Sequence, residues 1–283
     1  MKINWYPGHM AKAKRLIRED MNLVDMVIEM LDARIPISSS NPDFQALYQN
    51  KIRVVVLNKT DYADPAKTGL WKEYYRKLGI PVLAINALNN KDIQNVKKVL
   101  FSLADEKQKQ IKERKGINKT IRAMVVGIPN VGKSTLINSI SYASKAKTGD
   151  RPGVTRVKQW VKVTPFFELL DTPGLLWPKL GEQEIGLHLA YTGSIKEEII
   201  QPEEVVFCFL EELAEEYPIL LKERFQLENL DKKGHALLED IAVKRGWLQP
   251  GGIPDMHRAA KQILNEYQSG AIGRTTLELP PSC

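Results

Sequence analysis

The sequence predicts an α/β fold with a mostly parallel sheet and helices on both faces, followed by a smaller all-helical domain. Three observations carry that prediction. Short Val- and Ile-rich runs alternate with amphipathic stretches up to about residue 178. A Gly-rich loop sits between one such run and a helix-forming stretch. Beyond Pro178 the strand-like runs fade, and apolar residues recur at three- and four-residue spacing.

The elements follow in order. "LVDMVIEMLDA" (23–33) and "IRVVVLN" (52–58) read as buried strands. "PAKTGLWKEYYRKLG" (65–79) has helical spacing and closes on a glycine. "IPVLAINA" (80–87) is a further strand. Residues 91–116 form a long helix whose second half is polar and basic, with Lys107, Lys109, Lys112, Arg114 and Lys115, continuing to Lys119 and Arg122. Strand 120–127 runs into the Gly-rich loop, and helix 133–144 leaves it. "RVKQWVKVT" and "FFELLD" predict a hairpin turning near Pro165. The chain therefore divides into residues 1–178 and a helical domain, residues 179–283.

Composition narrows the class. The 283 residues are 43% hydrophobic and 27% charged, as in soluble globular proteins. No apolar run reaches the roughly 18 residues of a membrane span, and "MKINWYPGHM" lacks the apolar stretch of a secretory signal. Two cysteines, Cys208 and Cys283, argue against a disulfide framework or a Cys-based zinc site and fit a reducing cytoplasm. The net charge of +7 is unevenly placed. Residues 1–178 hold 30 Lys+Arg against 16 Asp+Glu, and residues 179–283 hold 11 against 18. That basic excess favours an anionic partner, most simply nucleic acid. Nothing demands a dimer.

"GIPNVGKST" (127–135) fits the phosphate-loop pattern. Its glycines let backbone N–H groups turn toward phosphates, Lys133 brings charge to the terminal phosphates, and the Ser134 hydroxyl can ligate magnesium. Val131, Gly132 and Thr135 complete the loop. "LLDTPG" (169–174) follows 38 residues after Lys133. Asp171 can hold magnesium through water, and the Gly174 backbone N–H can meet the terminal phosphate. Between them, "GDRPGVT" carries Thr155, the candidate switch residue, with its hydroxyl on magnesium.

"NKTD" (58–61) reads as a guanine-binding tetrad. Asp61 can accept from N1–H and the 2-amino group, so adenine is rejected roughly a thousandfold or more. Asn58 would bridge to the phosphate loop, the Lys59 stem would lie along the base, and Thr60 completes the turn. "INA" (85–87) places the Ala87 N–H near guanine O6, with Asn86 beside it.

The order is unusual. In ordinary GTPases the phosphate loop comes first; here the order is tetrad, Asn-Ala, phosphate loop, threonine, D-x-x-G. This is a rotation with no element missing. A sheet tolerates it because the ligand-binding loops stay at the same strand ends. Helix 91–116 joins the old termini, and the new break follows D-x-x-G. The loop that senses the terminal phosphate therefore runs into the helical domain, which predicts reorientation of that domain with nucleotide state. Identical small-angle scattering with GDP and a GTP analogue would refute this.

The circular order, "WYPGHMAKA" (5–13) and "DARIP" (32–36) resemble the YlqF/RbgA family of circularly permuted GTPases. The resemblance covers essentially the whole chain. It implies a GTP-binding and GTP-hydrolysing assembly factor of the large ribosomal subunit, bound to rRNA in a pre-ribosome.

Many GTPases place a water-orienting glutamine directly after the D-x-x-G glycine. Here that position is Leu175, which cannot polarise water. His9 is the candidate to supply the catalytic function, as the resemblance also implies; the alternative is a histidine touching an RNA phosphate. Asn130 is a candidate potassium ligand, which the resemblance suggests, or a loop-stabilising residue. The competing reading is an RNA-binding scaffold holding GTP as a structural ligand with negligible turnover. A GTPase acting on transfer RNA or at a membrane has little support in the residues.

Overall fold

The computed structural model describes residues 15, 18–42, 48, 51–141, 159–172, 176 and 183–281. Contacts divide the chain into two compact units, parting between Pro178 and Lys179 and again between Leu277 and Glu278.

The first unit is built on a six-stranded sheet. Its strands are β1 (Met26–Asp32), β2 (Ile52–Asn58), β3 (Val82–Ala84), β4 (Ile121–Val126), β5 (Gln159–Thr164) and β6 (Phe167–Asp171). The spatial order is β3-β2-β1-β4-β6-β5. All neighbours run parallel except β5, which returns antiparallel on β6. The β1 residues are buried throughout, as a central parallel strand requires.

Helices cover both faces. On one face Val27, Leu31, Val55, Leu57, Met124 and Leu170 share a side, by the pairing of Val27 with Arg53 and Met124. Over this face lie Trp71 and Tyr75 of α2 (Pro65–Lys77) and, further along, Met21, Val24 and Tyr48. On the other face α3 (Asn90–Lys115) buries Ile93, Val96, Leu100 and Ala104, and its Phe101 meets Phe167 of β6 edge-on at 5.6 Å. Caps fix these helices. Asp64 accepts from the Ala66 and Lys67 amides ahead of α2, with Pro65 at its first position. Asn89 caps α3, and Gly116 ends it in the left-handed region.

Two elements lay outside the sequence expectation. A four-residue helix, α1 (Pro36–Ser39), follows β1. The segment after Leu277 also returns to the first unit. The Glu278 carboxylate accepts from the Ile37 and Ser38 amides and from Ser38 Oγ, and Trp71 Nε1 donates to the Glu278 carbonyl at 3.0 Å. A carboxylate there satisfies the open amides of α1. Strand β3 is only three residues, shorter than the predicted 80–87. The helix predicted over 133–144 is described as α4 (Lys133–Ile140), closed at Ser141.

The second unit is helical: α5 (Gln183–Tyr191), α6 (Pro202–Glu216), α7 (Pro218–Phe225), α8 (Gly234–Lys244) and α9 (Met256–Gln268). Central α6 buries Val205, Val206, Phe209, Leu210 and Leu213, and Phe209 packs on Tyr191 of α5 and Tyr267 of α9. His188 is buried and bonded to Glu212 at 2.9 Å, a packing role. No helix among the described residues is long and apolar enough to cross a membrane.

Candidate guanine-nucleotide site

Parallel strands β1, β2, β3, β4 and β6 bring their C-terminal ends to one edge, where the tetrad, Asn86-Ala87, the phosphate loop and Asp171 all emerge. Asn58, the last residue of β2, ties three of these together. Its Nδ2 donates to the Val131 carbonyl in the phosphate loop at 2.8 Å, and its Oδ1 accepts from the Ala87 amide at 3.0 Å. An Ala87 contact with guanine O6 would compete with that second bond. Asn86 is held by its own loop, its amide donating to Asp92 and its Oδ1 accepting from the Leu88 amide, both at 2.8 Å. The Thr60 amide donates to the Ile85 carbonyl at 3.2 Å, which fixes the tetrad turn to the exit of β3. Asp61 lies in that turn, half-buried.

The phosphate loop uses backbone conformations that favour glycine. Gly127 (φ 158°), Asn130 (φ 58°) and Gly132 (φ 100°) have positive φ. At Gly132 a β-carbon would come 2.4 Å from Asn58 Nδ2, and at Gly127 one would come 2.6 Å from the Met30 carbonyl oxygen. Glycine at 132 is therefore what lets Asn58 reach the phosphate loop. Lys133 opens α4 and is buried, its ammonium donating to the Gly127 and Ile128 carbonyls at 3.2 and 2.8 Å. Burial pushes its pKa down to about 8, against the pull of Asp171. Thr135 lies in the first turn of the same helix.

Asp171 ends β6. Its Oδ2 accepts from Ser134 Oγ at 3.2 Å, while its Oδ1 is buried with no hydrogen-bond partner among the described residues. Burial raises its pKa, and Lys133 and Ser134 oppose the rise. A buried carboxylate oxygen lacking a donor, beside a hydroxyl, is a fitting donor set for a hard cation such as magnesium. Among the described residues no group of three or more His, Cys, Asp or Glu could form a metal site made of side chains alone. Neighbouring Thr172 anchors the strand end, its hydroxyl donating to the Val125 carbonyl at 2.6 Å.

A charged cluster that the tetrad reading did not include completes the edge. The Asp32 carboxylate accepts from Arg34 Nε (2.9 Å) and Nη2 (2.8 Å), and Lys59 Nζ lies 3.2 Å away. Both Asp32 and Arg34 are essentially inaccessible to solvent. Burial would raise the Asp32 pKa, but Arg34 and Lys59 overcome it and hold the carboxyl well below the usual range. The available sequence signal was an Asp and an Arg two residues apart at the end of a mostly apolar strand. Lys59 itself has φ 63°, a conformation side chains rarely adopt. His9, Thr155, Gly174 and Leu175 lie outside the described residues.

Residues 122–237 match the model of a family described as 50S ribosome-binding GTPase. The chain is 45% identical over 280 residues to ribosome biogenesis GTPase A of Bacillus licheniformis, with 99% of each chain covered. It is 31% identical to the protein of that name from Thermotoga maritima, covering 98% of this chain and 95% of that one. A solved structure of GNP-bound YlqF from T. maritima superposes with a TM-score of 0.69 at 28% identity, covering 96% of this chain and all of the other. A GDP-bound YlqF structure gives 0.70.

Proposed function

The chain belongs to the ribosome biogenesis GTPase A family (YlqF/RbgA), a family of GTPases acting in ribosome assembly, and from that premise we propose that it is a particle-activated GTPase of large-subunit assembly. One observation carries the nucleotide part. Asn58 of the tetrad bonds Val131 of the phosphate loop, so two motifs in inverted chain order form one site for one guanine nucleotide.

In this reading Asp61 accepts from the guanine edge and the Lys59 stem lies along the base. The loop amides around Gly132, together with Lys133, neutralise the phosphates. Ser134 and Asp171 would hold magnesium, with Thr155 as third contributor; the ion supplies charge at the terminal phosphates when bound. Asn130 is the proposed potassium ligand. Gly174 would meet the terminal phosphate. Leu175 cannot orient water, so His9 is assigned that role, exercised when a partner seats the segment. The partner is the large subunit or its precursor, through rRNA, in the cytoplasm. Leu175 also favours a second reading, an RNA-binding scaffold with structural GTP.

The test is GTP hydrolysis in potassium buffer, with and without large ribosomal subunits, for the parent and His9→Ala. Stimulation that collapses in His9→Ala at unchanged GTP affinity is the expected result. Stimulation that survives moves the catalytic group elsewhere. No stimulation by any particle leaves the scaffold reading.

A further inference from the structure

Helix α3 is longer than its place in the sheet requires. It connects β3 to β4, two parallel strands, so it runs antiparallel to both. Its N-terminus lies at the nucleotide edge and its C-terminus at the opposite edge. A six-residue strand such as β4 spans about 20 Å. A 26-residue helix spans about 39 Å.

The core-facing line of α3 runs Ile93, Val96, Leu100, Ala104, and Ala104 is its last buried residue. The same line continues through Lys107, Ile111 and Arg114. Past Ala104 the inner face thus turns cationic, and about 17 Å of helix continues beyond the core. Lys109, Lys112, Arg114 and Lys115 are exposed there and Lys107 is half-buried.

The next cations in sequence behave differently. Lys119 pairs with Asp25, and Arg122 pairs with Glu168. None of the five overhang cations makes an ion pair among the described residues. Lys109, Lys112 and Lys115 are spaced three apart, where like charges oppose the helix. Complementing the helix dipole explains cations in the last turn, Lys112, Arg114 and Lys115. It does not explain Lys107 and Lys109, further upstream.

We propose that the C-terminal overhang of α3 is a docking surface for the phosphate backbone of structured RNA. This rests on the large-subunit reading and names a surface for it. From Lys107 to Lys115 the rod carries five cations against one acid, Glu113, with Ile111 its one apolar residue, and that excess suits a polyanion recognised by charge, not by base. Because this end is opposite the nucleotide edge, the overhang contributes equally with GDP or a GTP analogue bound.

The experiment uses the full chain with Lys107→Gln, Lys109→Gln and Lys112→Gln together, and a companion with Arg at the same three positions. Binding to isolated large subunits and to protein-free large-subunit rRNA is followed across a salt series. The Gln variant is expected to bind both at least tenfold more weakly. Its slope of log affinity against log salt should fall by about two to three. The loss should be equal in both nucleotide states, with GDP affinity and melting temperature unchanged, while the Arg variant binds like the parent. Unchanged affinity and slope overturn the proposal. So does weakened binding to subunits with undiminished binding to protein-free rRNA, which would assign the surface to a ribosomal protein. A parent that binds neither refutes the large-subunit reading itself.

Discussion

The Lys59 ammonium lies 3.2 Å from an Asp32 carboxylate that Arg34 already holds by two side-chain hydrogen bonds. The tetrad lysine is thus positioned from β1. Asp32→Asn removes the anion and leaves Arg34 as a buried charge without its counterion. A loss of roughly 3–5 kcal/mol in unfolding free energy is expected, read by denaturant titration. Nucleotide affinity should fall about tenfold further than the fraction unfolded explains, because Lys59 loses its anchor. Equal GDP binding by the folded variant would show that Lys59 needs no such support.

Gly132→Ala tests the contact between the two motifs. The added β-carbon would meet Asn58 Nδ2 at 2.4 Å, on a backbone with positive φ. Either the loop or Asn58 must move. GDP affinity should drop about a hundredfold or more, with an unchanged far-ultraviolet circular dichroism spectrum. Retained affinity would mean that the Asn58–Val131 bond is dispensable.

Lys133 makes nucleotide binding pH-dependent. With its pKa pushed down to about 8, the free protein loses this charge as pH rises through that value. Bound phosphates stabilise the ammonium and raise the pKa, so binding above pH 8 takes up a proton. Affinity should therefore fall between pH 7 and pH 9. Calorimetry in buffers of different ionisation enthalpy at about pH 8.5 should show fractional proton uptake that fades by pH 7. The sign for folding is opposite. A lysine pKa below its unfolded value of 10.5 disfavours the folded state at neutral pH, and this cost is relieved as pH rises from about 8 toward 10.5.

Glu278→Ala leaves the amides of Ile37 and Ser38 without their acceptor. The cost should be about 1–3 kcal/mol, visible as a lower midpoint in urea. Glu278→Gln keeps an acceptor but loses the charge near the start of α1, and should fall between parent and Ala. Equal stability of parent and Ala would assign the tail no structural role.

What the sequence made legible was local. Strand–loop–helix around Lys133 announces itself because every requirement lies within nine residues, "GIPNVGKST". The parallel strands show as apolar runs because both faces are covered. Helix α7 starts at Pro218, directly after Tyr217 that caps α6, so no loop residues mark the break between the two helices. Helix α1 is too short for any periodicity. The Asp32–Arg34–Lys59 cluster was out of reach for a different reason. Its two halves lie on neighbouring strands, and pairing Asp32 with Asn58 in register is a tertiary fact. Glu278, 240 residues from Ser38, carries no local signal at all.

That last separation bears on how the chain comes into being. Synthesis delivers the tetrad early, Val131 of the phosphate loop 73 residues after its Asn58 partner, and Glu278 240 residues after Ser38. The start of α1 gains its cap only once Glu278 has been made. Contacts of such sequence separation form late and slowly. A nascent chain therefore holds β1 and β2 long before Glu278 can cap the helix that follows β1.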